Sequence, residues 1–360
     1  MDTLTVFLAV IGLVFLVAGA DVLVRGASGL AAGFGLSPLV IGLTVVAYGT
    51  SAPELAVSLA ASLRGQADVA LGNVVGSNIF NVLFILGSAA IIVPLTVAWR
   101  LVWLDVWVMI GVSALVPLFG RDNNISRWEG AFLFTGCVLY TLWLLWQARR
   151  GSTAPAAPEE NSQQAGTPPV WASALRVVLG LALLVAGARW LVEGAVTFAR
   201  VLGVSELVIA LTIVAAGTSL PEVAASIAAS VRGQRDIAVG NVIGSNIFNV
   251  LAVLGGSAAL SRGGVAVSAS ALAFDIPVMI AVAGACLPVF FTGHRIDRWE
   301  GFLFLGYYGA YVVYLILDAS RSSHLDSYTA AMIWFVLPLT AVTLAVVTLH
   351  ALRRNGAPSL

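Results

Sequence analysis

Polar positions along this chain are confined to short intervals between long apolar runs. Candidate spans fall at 3–24, 36–62, 68–93, 101–120, 128–148, 171–195, 204–230, 236–260, 270–292, 299–317 and 331–350, eleven in all. Each approaches or exceeds the ~20 apolar residues that a helix needs to cross a bilayer. The pattern therefore predicts an all-α integral membrane protein. One stretch, 149–170, is rich in Pro, Ser, Ala and Gln and lacks apolar periodicity. It reads as a flexible linker. The chain opens Met-Asp-Thr, without the positive segment of a secretory signal, so the first run is expected to be a retained membrane helix.

Residues 44–87 and 212–255 are identical at 31 of 44 positions at a constant offset of 168. The match extends back to Val17–Ala20 against Val185–Ala188 and forward to Arg127-Trp128-Glu129-Gly130 against Arg298-Trp299-Glu300-Gly301. The chain is thus a duplication: a first five-helix repeat at 1–148, the linker at 149–170, a second repeat at 171–318, and an additional helix at 331–350. An odd number of spans per repeat inserts the second copy upside down relative to the first. Inverted-topology repeats of this kind mark secondary transporters, with sites at the midplane between halves. Placing the N-terminus outside puts eleven arginines on the cytoplasmic side and six outside. The positive-inside rule then predicts a multi-pass protein of the cell inner (plasma) membrane with a cytoplasmic linker and C-terminus.

Composition agrees. The 360 residues are 59% apolar and 10% charged with net charge zero, and mean hydropathy is +0.98. All 18 basic residues are arginine and no basic tract exists, so nucleic acid is excluded as a partner. The bilayer and transported cations are the expected partners; no obligate protein partner and no cofactor are evident. Cys137 and Cys286 lie in apolar runs and read as packing. Trp99, Trp103, Trp107, Trp128, Trp143 and Trp146 read as interfacial anchors. Asp21 with Arg25, and Arg189 with Glu193, are spaced as i, i+4 ion pairs near helix ends.

Glu54 and Glu222 carry the chemistry. Each sits mid-span, where an ionised side chain costs about 2.5–3.5 kcal/mol on insertion scales. No Lys exists to pair with them. Protonated glutamic acids acting as structural glue are the bland alternative. Thr50 and Glu54 share a helix face, as do Thr218 and Glu222, with Ser51 and Ser219 adjacent. Pro53 and Pro221 cannot donate an amide hydrogen. They are expected to open the ladder near Gly49 and Gly217 and to release carbonyls around Ala47 and Ala215. A second motif, Gly72-Asn73 with Gly76 to Asn81, recurs as Gly240-Asn241 with Gly244 to Asn249. It puts Ser77 with Asn81, and Ser245 with Asn249, on common faces. All these groups are oxygen donors, which suit hard cations such as Ca²⁺. His294, His324 and His350 lie at loops or ends, so no transition-metal site is visible. One site could hold Ca²⁺ or several Na⁺ but not both, which is what coupled counter-transport requires.

GTSAPE with GNVVGSNIFN, and GTSLPE with GNVIGSNIFN, resemble the two alpha-repeats of the calcium/cation antiporter superfamily, specifically the prokaryotic sodium/calcium exchangers. The resemblance spans roughly residues 5–317. It implies two inverted sets of five helices, with helices two, three, seven and eight around the ions. Helices one and six would be long, tilted and able to slide. It implies Na⁺/Ca²⁺ exchange by alternating access, several Na⁺ per Ca²⁺. By position, the implied Ca²⁺ ligands are Glu54, Glu222 and the carbonyls of Thr50 and Thr218. The implied Na⁺ ligands add Ala47, Ser51, Ser77, Asn81, Ala215, Ser219, Ser245 and Asn249. Some sodium/calcium members carry Asp at one of the two central Asn positions, whereas here both are Asn. The eleventh helix lies outside the ten-helix pattern. H⁺/Ca²⁺ antiport on the same scaffold is the nearest rival, disfavoured by the hydroxyl-rich motifs. An intramembrane hydrolase using Ser51 or Ser219 lacks a membrane His or Lys base. A passive channel would not show saturable counterflow.

Overall fold

The computed structural model of the protein describes residues 3–151, 169–291, 294–343 and 345–346. Of the expected linker, 152–168 lies outside the described residues, as do 344 and 347–350 of the expected last span. Helix α1 (Thr3–Phe34) is followed by a bent α2, whose arms Pro38–Thr50 and Ala52–Leu63 meet at 45°. Then come α3 (Val69–Ile92), α4 (Leu101–Asp122) and α5 (Arg127–Arg150). The second half repeats the order. Helix α6 (Val170–Val201) leads to a broken α7, made of Glu206–Ile209, Ala210–Val214, Ala215–Gly217 and a second arm Leu220–Val231. Helices α8 (Arg235–Leu260), α9 (Ala271–Phe291), α10 (Arg298–Ala319) and α11 (Leu325–Thr343) complete it. Among the described residues, nine helices are long and apolar enough to cross a membrane, or ten with bent α2 counted as one span.

Two short pairings reveal the inversion. Strand β1 (Leu95–Thr96), between α3 and α4, pairs antiparallel with β4 (Arg295–Ile296), between α9 and α10. Strand β2 (Asn124–Ile125), between α4 and α5, pairs with β3 (Val265–Ala266), between α8 and α9. By sequence, β1 corresponds to β3 and β2 to β4. Since α4 separates β1 from β2 across the membrane, each loop touches the non-equivalent loop of the other half. That is possible only when equivalent loops lie on opposite faces. The protein is an all-α membrane fold of two inverted five-helix repeats, with α11 appended.

Helices α1 and α6 run to 32 residues each, well past the expected ends at 24 and 195. At ~1.5 Å per residue this is ~48 Å, against a hydrocarbon core of ~30 Å, so both are long enough to span with tilt. Arg25 and Ser28 lower the apolar signal without breaking the helix. The break comes at Gly35 (φ 63°) and Gly203 (φ 75°), in the left-handed conformation that ends helices and that glycine adopts at no cost. The centre is built from α3 and α8: 72% and 94% of their apolar windows are buried, against 28% for α1 and α6 and none for α11.

Both expected ion pairs form, Arg25–Asp21 at 3.0 Å and Arg189–Glu193 at 2.9 Å. Asp21 also accepts from Arg232 at the end of α7, tying α1 to the other repeat. Trp99, Trp103, Trp107, Trp128 and Trp146 are exposed, but Trp143 is half-buried against the core and lies under the Arg100 guanidinium. That cluster encloses Asp105, which accepts from Tyr140 Oη at 2.9 Å. Its repeat counterpart, Asp275, accepts from Tyr311 Oη at the same distance. A buried bond to a charged acceptor is worth about 1.5–3 kcal/mol. Tyr140→Phe should therefore lower stability by that amount in a thermal melt, leaving ion selectivity unchanged.

Candidate cation-binding site

The break in α2 follows from its sequence. Pro53 occupies the first turn of the second arm, where an N–H is dispensable, and it leaves the carbonyl four residues back, Gly49, without its helical donor. Ser51 sits at the joint with ψ 8°. The Ala47 carbonyl is not released, contrary to expectation. It keeps the Ser51 amide at 3.0 Å, and the Thr50 and Ser245 hydroxyl oxygens lie 3.3 and 3.5 Å from it. The i→i−4 bond survives because the proline lies two residues beyond Ser51, not at it. In α7, Ser219 is the corresponding joint (ψ 7°), with Pro221 in the following turn. Ala215 begins the short turn before it.

The two breaks face each other across the repeat interface, and their side chains bond crosswise. Ser51 Oγ donates to Glu222 Oε1 at 2.9 Å, and Ser219 Oγ donates to Glu54 Oε1 at 2.9 Å. Ser219 also reaches Ser77 Oγ at 3.2 Å. Each glutamate is thus held by the opposite repeat. Both are 1% exposed, and neither takes part in an ion pair among the described residues. In each, Oε1 is satisfied while the buried Oε2 has no hydrogen-bond partner. Oδ1 of Asn81 and Oδ1 of Asn249 are buried and unpartnered in the same way. Four anionic or polar oxygens are therefore left without donors, two from each half. Burying such groups unsatisfied costs free energy, which a cation taking them as ligands would offset.

Thr50, Ser51, Ser77, Ser219, Ser245, Asn81 and Asn249 are all buried, and Thr218 partly so. Thr50 Oγ1 donates to Asn241 Oδ1 at 3.2 Å and Thr218 Oγ1 to Asn73 Oδ1 at 3.4 Å. Asn73 Nδ2 donates in turn to Ser58 Oγ at 2.9 Å and to the Glu54 carbonyl at 3.3 Å, and Asn241 Nδ2 to Ser226 Oγ at 2.9 Å. In the sequence these four asparagines, Asn73, Asn241, Asn78 and Asn246, have a place in the repeated motif but no assigned role as ligands. Asn81 and Asn249 each open a π-helical stretch, Asn81–Leu86 and Asn249–Leu254. Such wide turns recur at functional sites and have no residue signature.

A cavity of about 600 Å³ is lined by Gly49 and Ala52, which flank Thr50 and Ser51, and by Leu181, Val185, Arg189 and Trp190 of α6. Elsewhere, α1 is tied to the end of α7 by Asp21 and Arg232.

Two inverted repeats meeting at a shared, oxygen-lined centre make up the architecture of secondary membrane transporters. Within that class, the sequence model described as "Sodium/calcium exchanger protein" matches residues 4–146 and 172–317, and the chain belongs to this family. It is 42% identical over 311 residues to the "Putative antiporter CaxA" of Alkalimonas amylolytica, covering 84% of this chain and 97% of the relative. It is 34% identical over 351 residues to the "Sodium/calcium exchanger MaX1" of Methanosarcina acetivorans, covering 88% and 99%. A solved structure of the sodium-calcium exchanger NCX_Mj, soaked with 2.5 mM Na⁺ and 0.1 mM Ca²⁺, superposes with TM-score 0.72 at 32% identity, covering 89% of this chain and 99% of that one.

Proposed function

We propose that the protein is a secondary active transporter exchanging Na⁺ for Ca²⁺ by alternating access, with Glu54, Glu222 and the carbonyls of Thr50 and Thr218 holding Ca²⁺. Na⁺ ions use the same carboxylates together with Ser51, Ser77, Asn81, Ala215, Ser219, Ser245 and Asn249, the Ala47 carbonyl being held in its helical bond. The observation that carries this reading is the set of four buried, partnerless oxygens on Glu54, Glu222, Asn81 and Asn249. Two carboxylates carry the charge that one Ca²⁺ neutralises, and oxygen-only donors suit both ions. Because the ions share the same oxygens, occupancy by one excludes the other, and exchange follows. The arginine distribution supports an inner-membrane protein with its N-terminus outside and its linker and C-terminus cytoplasmic.

The test is Ca²⁺ uptake into liposomes containing the purified protein, driven by an outward Na⁺ gradient at clamped pH. Uptake should saturate with Ca²⁺ and vanish when the Na⁺ gradient is removed. Uptake indifferent to Na⁺ but driven by a proton gradient would assign the protein to H⁺/Ca²⁺ antiport.

A further inference from the structure

An asparagine beside a cation helps only when its oxygen faces the ion, because its other edge is a donor. Behind Asn81 and Asn249, the repeats interlock through two further amides. Asn249 Nδ2 donates to Asn78 Oδ1 at 3.1 Å, and Asn81 Nδ2 donates to Asn246 Oδ1 at 3.1 Å. The orientation of Asn78 and Asn246 is fixed by partners that accept and cannot donate. Asn78 Nδ2 is directed at the Asn246 carbonyl, 3.2 Å away, and at the Met279 sulfur, 3.6 Å away. Asn246 Nδ2 is directed at the Met109 sulfur at 3.4 Å. A carbonyl accepts and cannot donate, and a thioether is likewise an acceptor only, though a weak one. Both amides must therefore turn their NH₂ groups to those partners and their oxygens to Asn249 and Asn81. Asn249 and Asn81 then spend their own NH₂ groups on those oxygens, which leaves their Oδ1 atoms buried and free of donors. Ser77, one turn before Asn81, lies 3.2 Å from the hydroxyl oxygen of the same Ser219 that holds Glu54, so this amide belongs to the cation centre.

We propose that Asn78 and Asn246, backed by Met279 and Met109, are positioning residues that set the amide polarity of Asn249 and Asn81. The centre then presents oxygens and no N–H to the transported ions. This rests on the cation-exchange reading above and assigns a role to residues that do not touch the ion. Without Asn78, Asn249 loses the acceptor that fixes it and its amide is free to rotate, offering NH₂ to the cation.

The experiment is a double-mutant cycle read as KM for Na⁺ and Ca²⁺ in liposomes. Asn78→Leu is expected to raise KM at least about tenfold, with a smaller change in kcat. An aspartate at the neighbouring position has two equivalent acceptor oxygens and needs no orienting. In the Asn249→Asp background, therefore, adding Asn78→Leu should raise KM less than about threefold, or lower it. Met279→Leu, of similar volume but without the acceptor, should show the same coupling with a smaller factor, and it serves should Asn78→Leu not fold. An equal factor in both backgrounds, or no KM change for either variant, overturns the positioning role. Wild-type protein without Na⁺-driven Ca²⁺ flux overturns the function itself, whereas wild-type flux with an additive cycle overturns this inference alone.

Discussion

Glu54→Gln is expected to lower Na⁺-driven Ca²⁺ uptake at least about a hundredfold, with the same result for Glu222→Gln, while the protein remains folded. A hundredfold corresponds to about 2.8 kcal/mol. Unit charges about 4 Å apart interact by about 4 kcal/mol at an effective dielectric of about 20, and a divalent ion doubles this. Loss of one carboxylate charge therefore exceeds the threshold even after a large discount for desolvation. Stability moves the other way. Neither carboxylate has a basic partner among the described residues, so each retains the insertion cost of about 2.5–3.5 kcal/mol when ionised. A glutamine carries no charge, fills nearly the same volume, and its Oε1 still accepts from Ser219 or Ser51. The melting temperature in ion-free buffer should thus be equal or higher than that of the wild type. The two readouts separate the site from the structural alternative, because glutamic acids acting as hydrogen-bonded glue would give variants that transport normally. Uptake within tenfold of wild type in either variant refutes the assignment. Equal losses at the two positions are expected because each glutamate is held by the serine of the opposite repeat.

Much of this arrangement is readable in the chain because duplication writes it twice. The repeat, the span pattern and the pairing of Glu with Thr, Ser, Asn and Pro require only spacing and charge, and these led directly to Glu54, Glu222 and their neighbours. Three features were not read. Asn78 and Asn246 bond across to the other repeat, so no spacing within one helix connects them to the site. Their backing residues, Met109 and Met279, lie on α4 and α9 and look like ordinary core residues. The Asp21–Arg232 contact joins residues 211 apart, and only the folded molecule brings them together. The persistence of the Ala47 carbonyl in its helical bond is a matter of register: proline fixes which carbonyl loses its donor, and that carbonyl is Gly49. The glycine pattern of α1 and α6 stands in the sequence too, but only the crossing of the two helices gives it a consequence.

Gly187→Val should destabilise the protein by about 3 kcal/mol, the upper part of the usual range for overpacking. Glycines recur every seven residues at 12, 19 and 26 and again at 180, 187 and 194, keeping one face of each long helix bare over several turns. The helices cross backbone to backbone along that face. A Cβ added at Gly187 would lie 2.6 Å from the Gly12 carbonyl oxygen, and one added at Gly12 would lie 2.8 Å from that of Gly187. Gly19 and Gly180 meet in the same way, with Gly180 and Gly19 oxygens 2.9 and 2.8 Å from the added atoms. Small residues allow such approach between membrane helices, where packing replaces the hydrophobic drive. The obstacle is backbone and cannot rotate aside, so the whole helix pair must part. Gly187→Ala is expected to cost about 1–2 kcal/mol, since a gain of about 1 kcal/mol in helix propensity offsets part of the clash. Gly284, in α9, has nothing within 4 Å of an added Cβ, and Gly284→Ala should be neutral or stabilising by up to about 1 kcal/mol. Thermal melts in one detergent compare the pair directly, and equal effects at the two positions would show that the close crossing does not matter. Once Gly187 has forced the helices apart, replacing Gly12 opposite it should cost little more. The Gly12→Ala, Gly187→Ala double variant is therefore expected to lose less than the sum of the single losses, because both substitutions are answered by the same separation of α1 from α6.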